Sequence, residues 1–458
     1  MDIKKYDVAI IGGGMSGLML AYKLLEKTSN INIVILEEGK DIGSRKCPIL
    51  EKKSSKCIGC GSCSIMNGVA GAGAFSDGKF IITSEYGGWL SDFIGTDQAL
   101  KYMEMADDII VSLGATEERY KVNNKLKREC LENELHIKDG EVKHLGTEKT
   151  YEIMKKLVDI IKQKCTIMTN SKVIDLNKEE KIIKIIDGNE IKADNIIFSV
   201  GRSGNGFLSN WCIKNNISLK FNPVDIGVRV ELPSILWKDI SNIVYDPKIS
   251  YKSKIYGDYT RMFCFNDGGN VVIENTDKVC TVNGHAYSEQ NLKTDNSNFA
   301  LLSSIHFSDE FIDPIEYMRN IARSVNLISG GNVIVQRFGD LINGKRTTDN
   351  RLLESTVKPT LDATPGDLSL CIPKRQLDNI IETIHQLNKI APGTSNYDTL
   401  LYGLECKYYS SRPKMNNFEL ENCNKVFACG DGAGITRSLA QAAANGLYLG
   451  ELIAEQYK

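Results

Sequence analysis

Residues 6–17, YDVAIIGGGMSG, decide the fold of this chain. The apolar run Tyr6 to Ile11 predicts a buried parallel strand, the next residues give the pattern G-x-G-x-x-G, and Leu18 to Glu26 continues with helical periodicity. In a strand-turn-helix unit of this kind the first glycine permits a tight turn, the second lets backbone amides approach a pyrophosphate, and the third allows close helix–strand packing. The residues predicted to contact a dinucleotide here are Gly12, Gly14, Ser16 and Gly17.

A second apolar strand, Ile31 to Leu36, ends in the acidic pair Glu37 and Glu38. An acidic side chain at this spacing is expected to meet the hydroxyls of an adenosine ribose. Because an acid here disfavours a 2′-phosphate, the pattern favours FAD or NAD over NADP. Glu37 and Glu38 are therefore added to the predicted cofactor residues.

A third motif lies late in the chain. The strand predicted over Asn424 to Cys429 is followed by GDGAG at residues 430–434 and by an amphipathic helix from about Ser438 to Gln456. In flavoproteins of the glutathione-reductase type, such an aspartate lies on the ribityl chain and the helix N-terminus faces the flavin N1/C2 carbonyl. Together with the first motif this favours FAD, and the predicted contacts are Gly430, Asp431, Gly432, Gly434, Ile435 and Thr436.

Further segments fit an FAD domain. Residues 192–204 predict a strand returning to that domain, and Cys165 to Ile174 predicts a strand of the kind that contacts adenine. At Gly71 to Lys79, small residues let the backbone pass close to an isoalloxazine while polar side chains offer partners. With Arg45, the cofactor residues predicted from these segments are Val173, Gly201, Gly73, Ala74, Phe75, Ser76, Asp77, Gly78 and Lys79.

Four cysteines follow the first motif closely, as Cys47-Pro48 and then the run Cys57-x-x-Cys60-x-x-Cys63. Thiolates at this spacing can converge on one soft metal centre. A 4Fe-4S cluster is the favoured interpretation, because flanking glycines would let backbone N–H groups approach sulfur and a flavin is predicted nearby. Structural zinc and a redox-active dithiol or disulfide remain alternatives. The predicted metal ligands are Cys47, Cys57, Cys60 and Cys63.

Charge and hydropathy narrow the class of protein. The 56 lysines and arginines nearly cancel the 58 aspartates and glutamates, so no global field favours nucleic acid or an anionic membrane as a partner. The apolar stretch Val8 to Ile11 is too short for a secretion signal, and no window approaches the length of a membrane span. The pattern predicts a cytoplasmic enzyme acting on small molecules.

Taken together, the cysteine run, the loop Gly71 to Lys79 and residues 430–437 resemble those of the largely uncharacterised FAD-dependent dehydrogenases of the glutathione-reductase-like superfamily. Residues 221–231, 268–272 and 282–285 are similar too, so the resemblance covers nearly the whole chain. It implies FAD, a split Rossmann-like domain and oxidoreductase activity, without a substrate. The chain departs from the family at residues 70–73, AGAG where members often have GGAG, and at residues 266–269, NDGG where members often have CPGG.

The expected fold class is α/β: a three-layer, Rossmann-like FAD domain interrupted by a mixed, β-rich α+β substrate or cap domain. Trp89 and Leu90 are expected to cover the flavin. The predicted FAD domain comprises residues 1–84, 147–204 and 421–458, with a mostly helical insertion at 85–146 and the substrate domain at 205–420.

The predicted reaction is hydride exchange between FAD and an organic substrate, with the cysteine cluster relaying single electrons to or from a ferredoxin-like carrier. His285 is the candidate acid/base, because it lies in a motif of the substrate half. Arg229, Arg261 and Arg437 are candidates for clamping a substrate carboxylate. The alternatives are an NAD(P)H-fed reductase with structural zinc, a non-catalytic electron-transfer subunit, and a tRNA-modifying or sulfur-transfer flavoprotein, which the near-neutral charge disfavours.

Overall fold

The computed structural model describes residues 3–48, 51, 53, 58, 60–276, 279–286, 293–305, 307 and 313–457. The chain forms two compact units. Unit 1 comprises Met1–Glu118, Lys143–Asn222 and Tyr409–Lys458, whereas unit 2 comprises Arg119–Val142 and Pro223–Tyr408. Each unit is therefore assembled from segments that are far apart in sequence.

Four of the described helices, those that start at Asn124, Pro314, Asp349 and Leu439, begin after an N-cap residue whose side chain accepts a backbone hydrogen bond. The helix that starts at Pro314 has Asp313 before it, whose carboxylate accepts from Glu316 N over 2.8 Å. In the described part of the chain, no helix has the length and apolar composition needed to cross a bilayer. The helices are α1 Met15–Lys27, α2 Leu90–Ile94, α3 Thr96–Ser112, α4 Asn124–Glu132, α5 Thr147–Lys162, α6 Asn205–Lys214, α7 Lys238–Ile243, α8 Pro314–Ile328, α9 Phe338–Ile342, α10 Asp349–Glu354, α11 Lys374–Leu387 and α12 Leu439–Ala454.

The strands differ in length between the two units, and the longest belong to unit 2. In chain order they are β1 Lys4–Ile11, β2 Ile33–Leu36, β3 Lys79–Ile82, β4 Tyr120–Lys121, β5 Leu135–Ile137, β6 Glu141–His144, β7 Thr166–Met168, β8 Val173–Asn177, β9 Ile182–Ile185, β10 Glu190–Phe198, β11 Leu219–Lys220, β12 Val224–Pro233, β13 Ile249–Lys252, β14 Tyr259–Asn266, β15 Asn270–Thr276, β16 Val279–His285, β17 Asn296–Ile305, β18 Ile334–Arg337, β19 Thr364–Pro365, β20 Leu400–Lys407, β21 Arg412–Pro413, β22 Met415–Asn416, β23 Glu419–Leu420 and β24 Val426–Ala428.

Unit 1 is organised around a parallel sheet. Its strands lie in the order β24-β10-β1-β2-β7, with each neighbouring pair parallel. β22 and β23 extend the β24 edge, and β9 pairs antiparallel with both β10 and β8. The parallel strands are continuous apolar runs such as Ile33–Leu36, which is buried throughout, because helices cover a parallel sheet on its faces.

Helices α1 and α12 pack against each other beside this sheet. Their contact is close because glycines occupy it: a Cβ atom on Gly446 would lie 2.1 Å from Ser16 O, and one on Gly450 would lie 2.8 Å from Leu20 O. The small side chains of α12 thus fix the position of α1, which begins at the G-x-G-x-x-G turn.

Unit 2 is built on a mostly antiparallel sheet with the strand order β19-β18-β20-β12-β17-β14-β13-β5. Successive side chains of β12 alternate between two faces. Val228 and Val230 belong to the apolar core, together with Met318 of α8 and Ile380 of α11. The opposite face carries Asp225, Arg229 and Glu231, which are also fully buried, so the sheet has one apolar and one polar buried face.

β1, α1, β2 and α12 lie within a few residues of their predicted ranges, whereas the single strand predicted over Cys165 to Ile174 is divided into β7 and β8. The division of the chain into units also differs from the expected one. The expected insertion at 85–146 is split, since residues 85–118 belong to unit 1 and 119–142 to unit 2. β5 belongs to unit 2 because it pairs with β13 through Ile137 and Ile249. Residues 205–222 and 409–420 lie in unit 1, where Trp211 Nε1 of α6 donates to Leu176 O over 2.8 Å.

Candidate functional site

The carboxyl ends of β1, β10 and β24 meet at one edge of the unit 1 sheet. Ser199 N donates to Ile11 O over 2.8 Å, and Cys429 N donates to Phe198 O over 2.8 Å, which ties the three strand ends together. Three of the sequence motifs begin at these ends. In parallel α/β sheets, ligands bind at this edge, so the site is built upward from it.

The three glycines of the first motif differ in what their surroundings permit. Gly12 has φ +108°, and a Cβ atom there would lie 2.4 Å from Ser199 O, while one on Gly17 would lie 2.3 Å from Gly12 O. Gly14 is the N-cap of α1, makes no side-chain cap bond, and a Cβ there would meet no atom within 4 Å. The open space at Gly14 and the uncapped amides of α1 fit a phosphate group.

The two acidic residues after β2 differ in exposure: Glu37 is buried and Glu38 is half-buried. Glu37 accepts hydrogen bonds from three backbone N–H groups, those of Gly13 at 2.8 Å, Gly39 at 2.9 Å and Gly68 at 3.0 Å. Glu38 accepts from Asn67 Nδ2 over 2.7 Å, and burial raises its pKa. Glu37 therefore holds the loops together, and few of its lone pairs are left for a ribose.

Two polar residues beneath the motifs carry no sequence fingerprint of their own. Ser199 Oγ lies 2.7 Å from Ser16 Oγ, and Asn445 Oδ1 of α12 accepts from Gly430 N over 2.8 Å. Cys429, directly after β24, is fully buried, and burial raises the pKa of its thiol to about 11. The signal for Asn445 was present in the sequence, because a polar residue on the buried face of an apolar helix needs a partner.

The glycine-rich loop before β3 lies against the first motif. Ala70 N donates to Gly13 O over 2.8 Å, and a Cβ atom on Gly71 would lie 3.1 Å from Gly14 Cα. Ala74 is fully buried. The start of this loop therefore borders the open space at Gly14.

The rest of this loop is occupied by bonds within unit 1. Ser76 Oγ donates to Gly73 O over 2.8 Å, and Asp77 pairs with Lys79 over 3.2 Å. Gly78 lies against α5, where a Cβ atom would come within 1.9 Å of Thr150 Oγ1. Packing against α5 thus accounts for this glycine without a cofactor.

Arg45 connects the cysteine-rich segment to the glycine-rich loop. Its guanidinium donates to Ser64 O, Ile65 O, Val69 O and Gly71 O over 2.7–2.9 Å. The group also lies over the Phe75 ring, 4.6 Å from its centroid. Burial lowers the pKa of Arg45 to about 10. These contacts make Arg45 an internal clamp for residues 64–71.

The GDGAG motif supplies polar atoms that lack partners in the structure. Asp431 Oδ2 lies 3.5 Å from Arg202 Nη2, whereas Asp431 Oδ1 and Thr436 Oγ1 are buried and have no hydrogen-bond partner among the described residues. Gly432 N donates to Val200 O over 2.9 Å and Gly434 has φ +70°. Two buried orphan oxygens at the predicted flavin motif fit the hydroxyl and amide groups of a bound FAD.

Four further predicted residues are found in other segments of the chain. Ile435 is buried, and its carbonyl accepts from Trp89 N over 2.7 Å. Val173 is buried at the start of β8, and Gly201 is exposed at the end of the β10 segment. His285 lies at the end of β16 in unit 2, opposite Asn270 of β15.

The predicted metal ligands are only partly described. Cys57 lies outside the described residues. Cys60 and Cys63 are exposed and Cys47 is half-buried. No group of three or more histidine, cysteine, aspartate or glutamate residues suited to a metal ion occurs within the described ranges.

Two family models match parts of the chain. Residues 223–408 match a model described as FAD-dependent protein, C-terminal domain-like, and residues 10–46 match an NAD(P)-binding Rossmann-like domain. The first range coincides with the longer segment of unit 2, and the second covers α1, β2 and the turn between β1 and α1. The matches confirm the predicted fold class, a Rossmann-like nucleotide domain joined to a β-rich domain.

Solved structures resemble the chain over most of its length. Glycine oxidase from Geobacillus kaustophilus shares 11% identity at a TM-score of 0.42, covering 99% of this chain and 95% of that one. L-proline dehydrogenase from P. horikoshii shares 12% identity at a TM-score of 0.43, covering 100% and 94%. At these values, likeness does not indicate a shared substrate. No relative was found among curated protein sequences.

Proposed function

We propose that this FAD-dependent oxidoreductase exchanges a hydride between its flavin and a small organic substrate, and that an iron–sulfur cluster relays single electrons to or from an external carrier. The family matches confirm the enzyme class predicted from the sequence. To this enzyme class the proposal adds three parts: the hydride substrate, the iron–sulfur cluster and a ferredoxin-like carrier.

The convergence of three motifs at one sheet edge carries the FAD assignment. The open space at Gly14 lies beside the uncapped start of α1, and the loop containing Gly71 borders it. Asp431 Oδ1 and Thr436 Oγ1 remain unsatisfied in the described structure. A ligand with a pyrophosphate and several hydroxyl and amide groups would meet these needs together.

Bound FAD would supply a ring that accepts or donates a hydride and that can also pass electrons singly. The chain's own residues would bind and orient it. The α1 amides would hold negative charge at the phosphates, and Asp431 would accept from a ribityl hydroxyl. The N-terminal end of α12, which follows Thr436, would favour negative charge on a reduced ring.

The relay assignment depends on the cysteine spacing and on one structural support. Arg45 fixes Ser64 and Ile65, the residues after Cys63, to the same loop as Gly71. Any centre held by Cys63 would therefore be tied through one side chain to the loop that borders the FAD site. A rigid connection of this kind suits electron transfer between two redox groups.

Proton transfer is the remaining chemical requirement. We assign it to His285, whose substitution by Asn is expected to lower turnover without reducing FAD content. Loss of FAD in His285→Asn would instead make this histidine structural.

The decisive test is anaerobic purification of the wild type and Cys60→Ser, with FAD, iron, sulfide and zinc measured on the same samples. The relay predicts FAD with about four irons and four sulfides per chain, and loss of iron and sulfide in Cys60→Ser. The buried Cys212, changed to Ser, is the matched control and should keep both. A wild-type protein that contains FAD but no iron would refute the relay.

Other outcomes identify the alternative functions. One zinc and no sulfide would favour a structural metal and an NAD(P)H-fed reductase, which is checked by flavin bleaching with NADH or NADPH. FAD and a cluster without turnover of any organic acid, amine or alkene would favour an electron-transfer subunit.

A further inference from the structure

Two arginines and two aromatic rings form a ladder within unit 1. The Arg412 guanidinium lies 5.1 Å from the Trp89 ring centroid, and the Trp89 and Tyr409 rings meet edge to face at 5.2 Å. Arg437 lies over the Tyr409 ring at 4.2 Å. These residues come from the segment before α2, from the start of the last unit 1 segment and from the loop after β24. We call Trp89, Tyr409, Arg412 and Arg437 the arginine–aromatic ladder.

The ladder belongs to the same region as the GDGAG loop. Trp89 N donates to Ile435 O over 2.7 Å, and Arg437 N donates to Gly87 O over 2.8 Å. Arg412 Nε donates to Gly434 O over 3.3 Å. The ladder therefore touches the loop that is predicted to hold the flavin, and it is well placed to contact a substrate of that flavin.

The positive charge of Arg412 is poorly balanced by the protein. Its side chain is only 18% exposed, and its nearest carboxylate is Asp92 at 4.0 Å, which is 59% exposed. Its guanidinium also lies over the rings of Trp89 and Phe93, each centroid at 5.1 Å. Burial lowers the pKa of Arg412. A cation in these surroundings is stabilised by an anion that brings its own charge.

Two buried hydroxyls in the same segments also lack partners. Thr436 Oγ1 and Ser410 Oγ have no hydrogen-bond partner in the described structure, although Thr436 is 0% and Ser410 1% exposed. Gly434 brings the two segments together, since a Cβ atom there would lie 2.6 Å from Ser410 O. Buried hydroxyls without partners are costly, so they independently point to a ligand with hydrogen-bonding atoms.

We propose that the arginine–aromatic ladder is the substrate's anion subsite and that it binds a carboxylate carried on an aromatic or other planar apolar skeleton. The two guanidiniums supply positive charge, the Nη groups of Arg412 supply N–H donors, the hydroxyls supply further hydrogen bonds, and the rings supply apolar walls. A carboxylate fits better than a phosphate, because both guanidiniums stack on rings and Arg412 Nε already donates to Gly434 O, which leaves fewer donors than a phosphate needs. This assignment rests on the proposed FAD function and narrows it to oxidation or reduction of an organic acid.

The test uses the FAD-loaded protein and benzoate as the simplest aromatic carboxylate. Binding is measured by titration calorimetry, and FAD content is measured separately. Benzoate should bind saturably and the neutral isostere benzamide at least tenfold more weakly. Arg412→Met should weaken benzoate binding by about 10- to 150-fold, the value of a charge-assisted hydrogen bond. Arg412→Lys should recover part of the affinity, and Arg323→Met, on the exposed face of α8, should leave it unchanged.

A second variant separates the charge from the rings. Trp89→Leu should weaken benzoate more than acetate, because it removes a wall and leaves the cations. No saturable benzoate binding by the FAD-loaded wild type, equal binding of benzoate and benzamide, or full affinity in Arg412→Met would each overturn the proposal. Inorganic phosphate binding that depends on Arg412, without benzoate binding, would reassign the ladder to a different anion. Absence of FAD from the purified protein would instead count against the proposed function, whatever benzoate does.

Discussion

Arg229 and Glu405 form a bidentate ion pair inside unit 2. Arg229 Nε lies 2.6 Å from Glu405 Oε2 and Nη2 lies 2.7 Å from Oε1, and the side chains are 0% and 2% exposed. Arg229 also donates to Asn298 Oδ1 over 2.9 Å and to Asn283 Oδ1 over 3.2 Å. The sequence suggested that Arg229 could clamp a substrate, but the structure satisfies its charge within the β-rich domain.

Breaking this pair should be far more costly than breaking an exposed one. Glu405→Gln leaves a buried guanidinium without its counter-charge and is expected to lower the free energy of unfolding by about 3–5 kcal/mol. Glu316→Gln removes an exposed partner of Arg323 and should cost less than about 1 kcal/mol. Urea unfolding of both variants measures the two free-energy losses. Equal losses in Glu405→Gln and Glu316→Gln would show that the buried ion pair does not stabilise the fold more than the exposed one.

The glycines of the first motif allow stability to be separated from cofactor binding. Gly12→Ala places a Cβ 2.4 Å from Ser199 O at φ +108°, and should cost about 1–3 kcal/mol through backbone strain alone. Gly14→Ala meets no atom within 4 Å, so its fold should be kept. The methyl group would occupy the phosphate space, and FAD affinity should fall about tenfold or more, as for one lost charge-assisted bond. Thermal unfolding and FAD titration measure the two effects. FAD binding by Gly14→Ala at wild-type affinity would contradict this phosphate site.

Glu37 and Glu38 should have unequal effects despite being neighbours. Glu37→Gln loses charge-assisted bonds from the Gly13, Gly39 and Gly68 amides and should lower the free energy of unfolding by about 2 kcal/mol. It should also weaken FAD binding by loosening the loops. Glu38→Gln keeps an acceptor for Asn67 and should cost less than about 1 kcal/mol. Urea unfolding of the FAD-free proteins measures the loss of unfolding free energy in each variant. Equal losses in Glu37→Gln and Glu38→Gln would contradict the hydrogen bonds seen at Glu37.

Local sequence signals predicted the elements of this fold well. β1 was expected at Tyr6 to Ile11 and spans Lys4–Ile11, and α12 was expected from about Ser438 to Gln456 and spans Leu439–Ala454. Apolar runs lie within the elements that they define and N-cap residues lie directly before them, so these boundaries can be inferred locally. Chain segments that pair over long distances give no such signal, which is why the assignment of β5 to unit 2 was not foreseen.

The sequence predicted the cofactor-binding motifs of the site, but not the contacts that hold those motifs in place. Arg45 was expected to contact a cofactor, but its partners are the backbone carbonyls of Ser64, Ile65, Val69 and Gly71, and a carbonyl is present at every residue. Likewise, Trp89 and Arg412 are more than 300 positions apart in sequence and meet only in the folded chain. Spacing patterns identify groups that act on a ligand, whereas supporting contacts depend on the completed fold.

Asp340 should make stability depend on pH. Burial favours a raised pKa for this carboxyl, but hydrogen bonds from Arg337, Thr347 and Tyr397 outweigh burial and lower the pKa. A lowered folded-state pKa stabilises the fold fully above about pH 4, the ordinary value for aspartate, and this contribution is lost as pH falls through the folded-state pKa. Asp340→Asn should therefore cost roughly 3 kcal/mol at pH 7 and progressively less below pH 4.

Urea unfolding of wild type and Asp340→Asn at pH 7 and pH 3 measures this change. Asp239→Asn, at an exposed position in the first turn of α7, is the control and should show no comparable gap at either pH. A gap for Asp340→Asn that is the same at both pH values would rule out this carboxylate as the source.

Cys264 should be the more reactive of two half-buried cysteines in unit 2. Lys407 Nζ donates to Cys264 Sγ over 3.2 Å and lies 4.4 Å from the Phe263 ring centroid. Reactive cysteines lie in electropositive, partly exposed surroundings, and the lysine ammonium provides such surroundings for Cys264. Cys371 is also half-buried, but burial and Asp367 raise the pKa of its thiol. Iodoacetamide labelling followed by peptide mass spectrometry should show faster alkylation at Cys264 than at Cys371. Lys407→Met should slow labelling of Cys264 and leave Cys371 unchanged. Equal slowing at both sites would indicate a general change in exposure and contradict activation of Cys264 by the lysine.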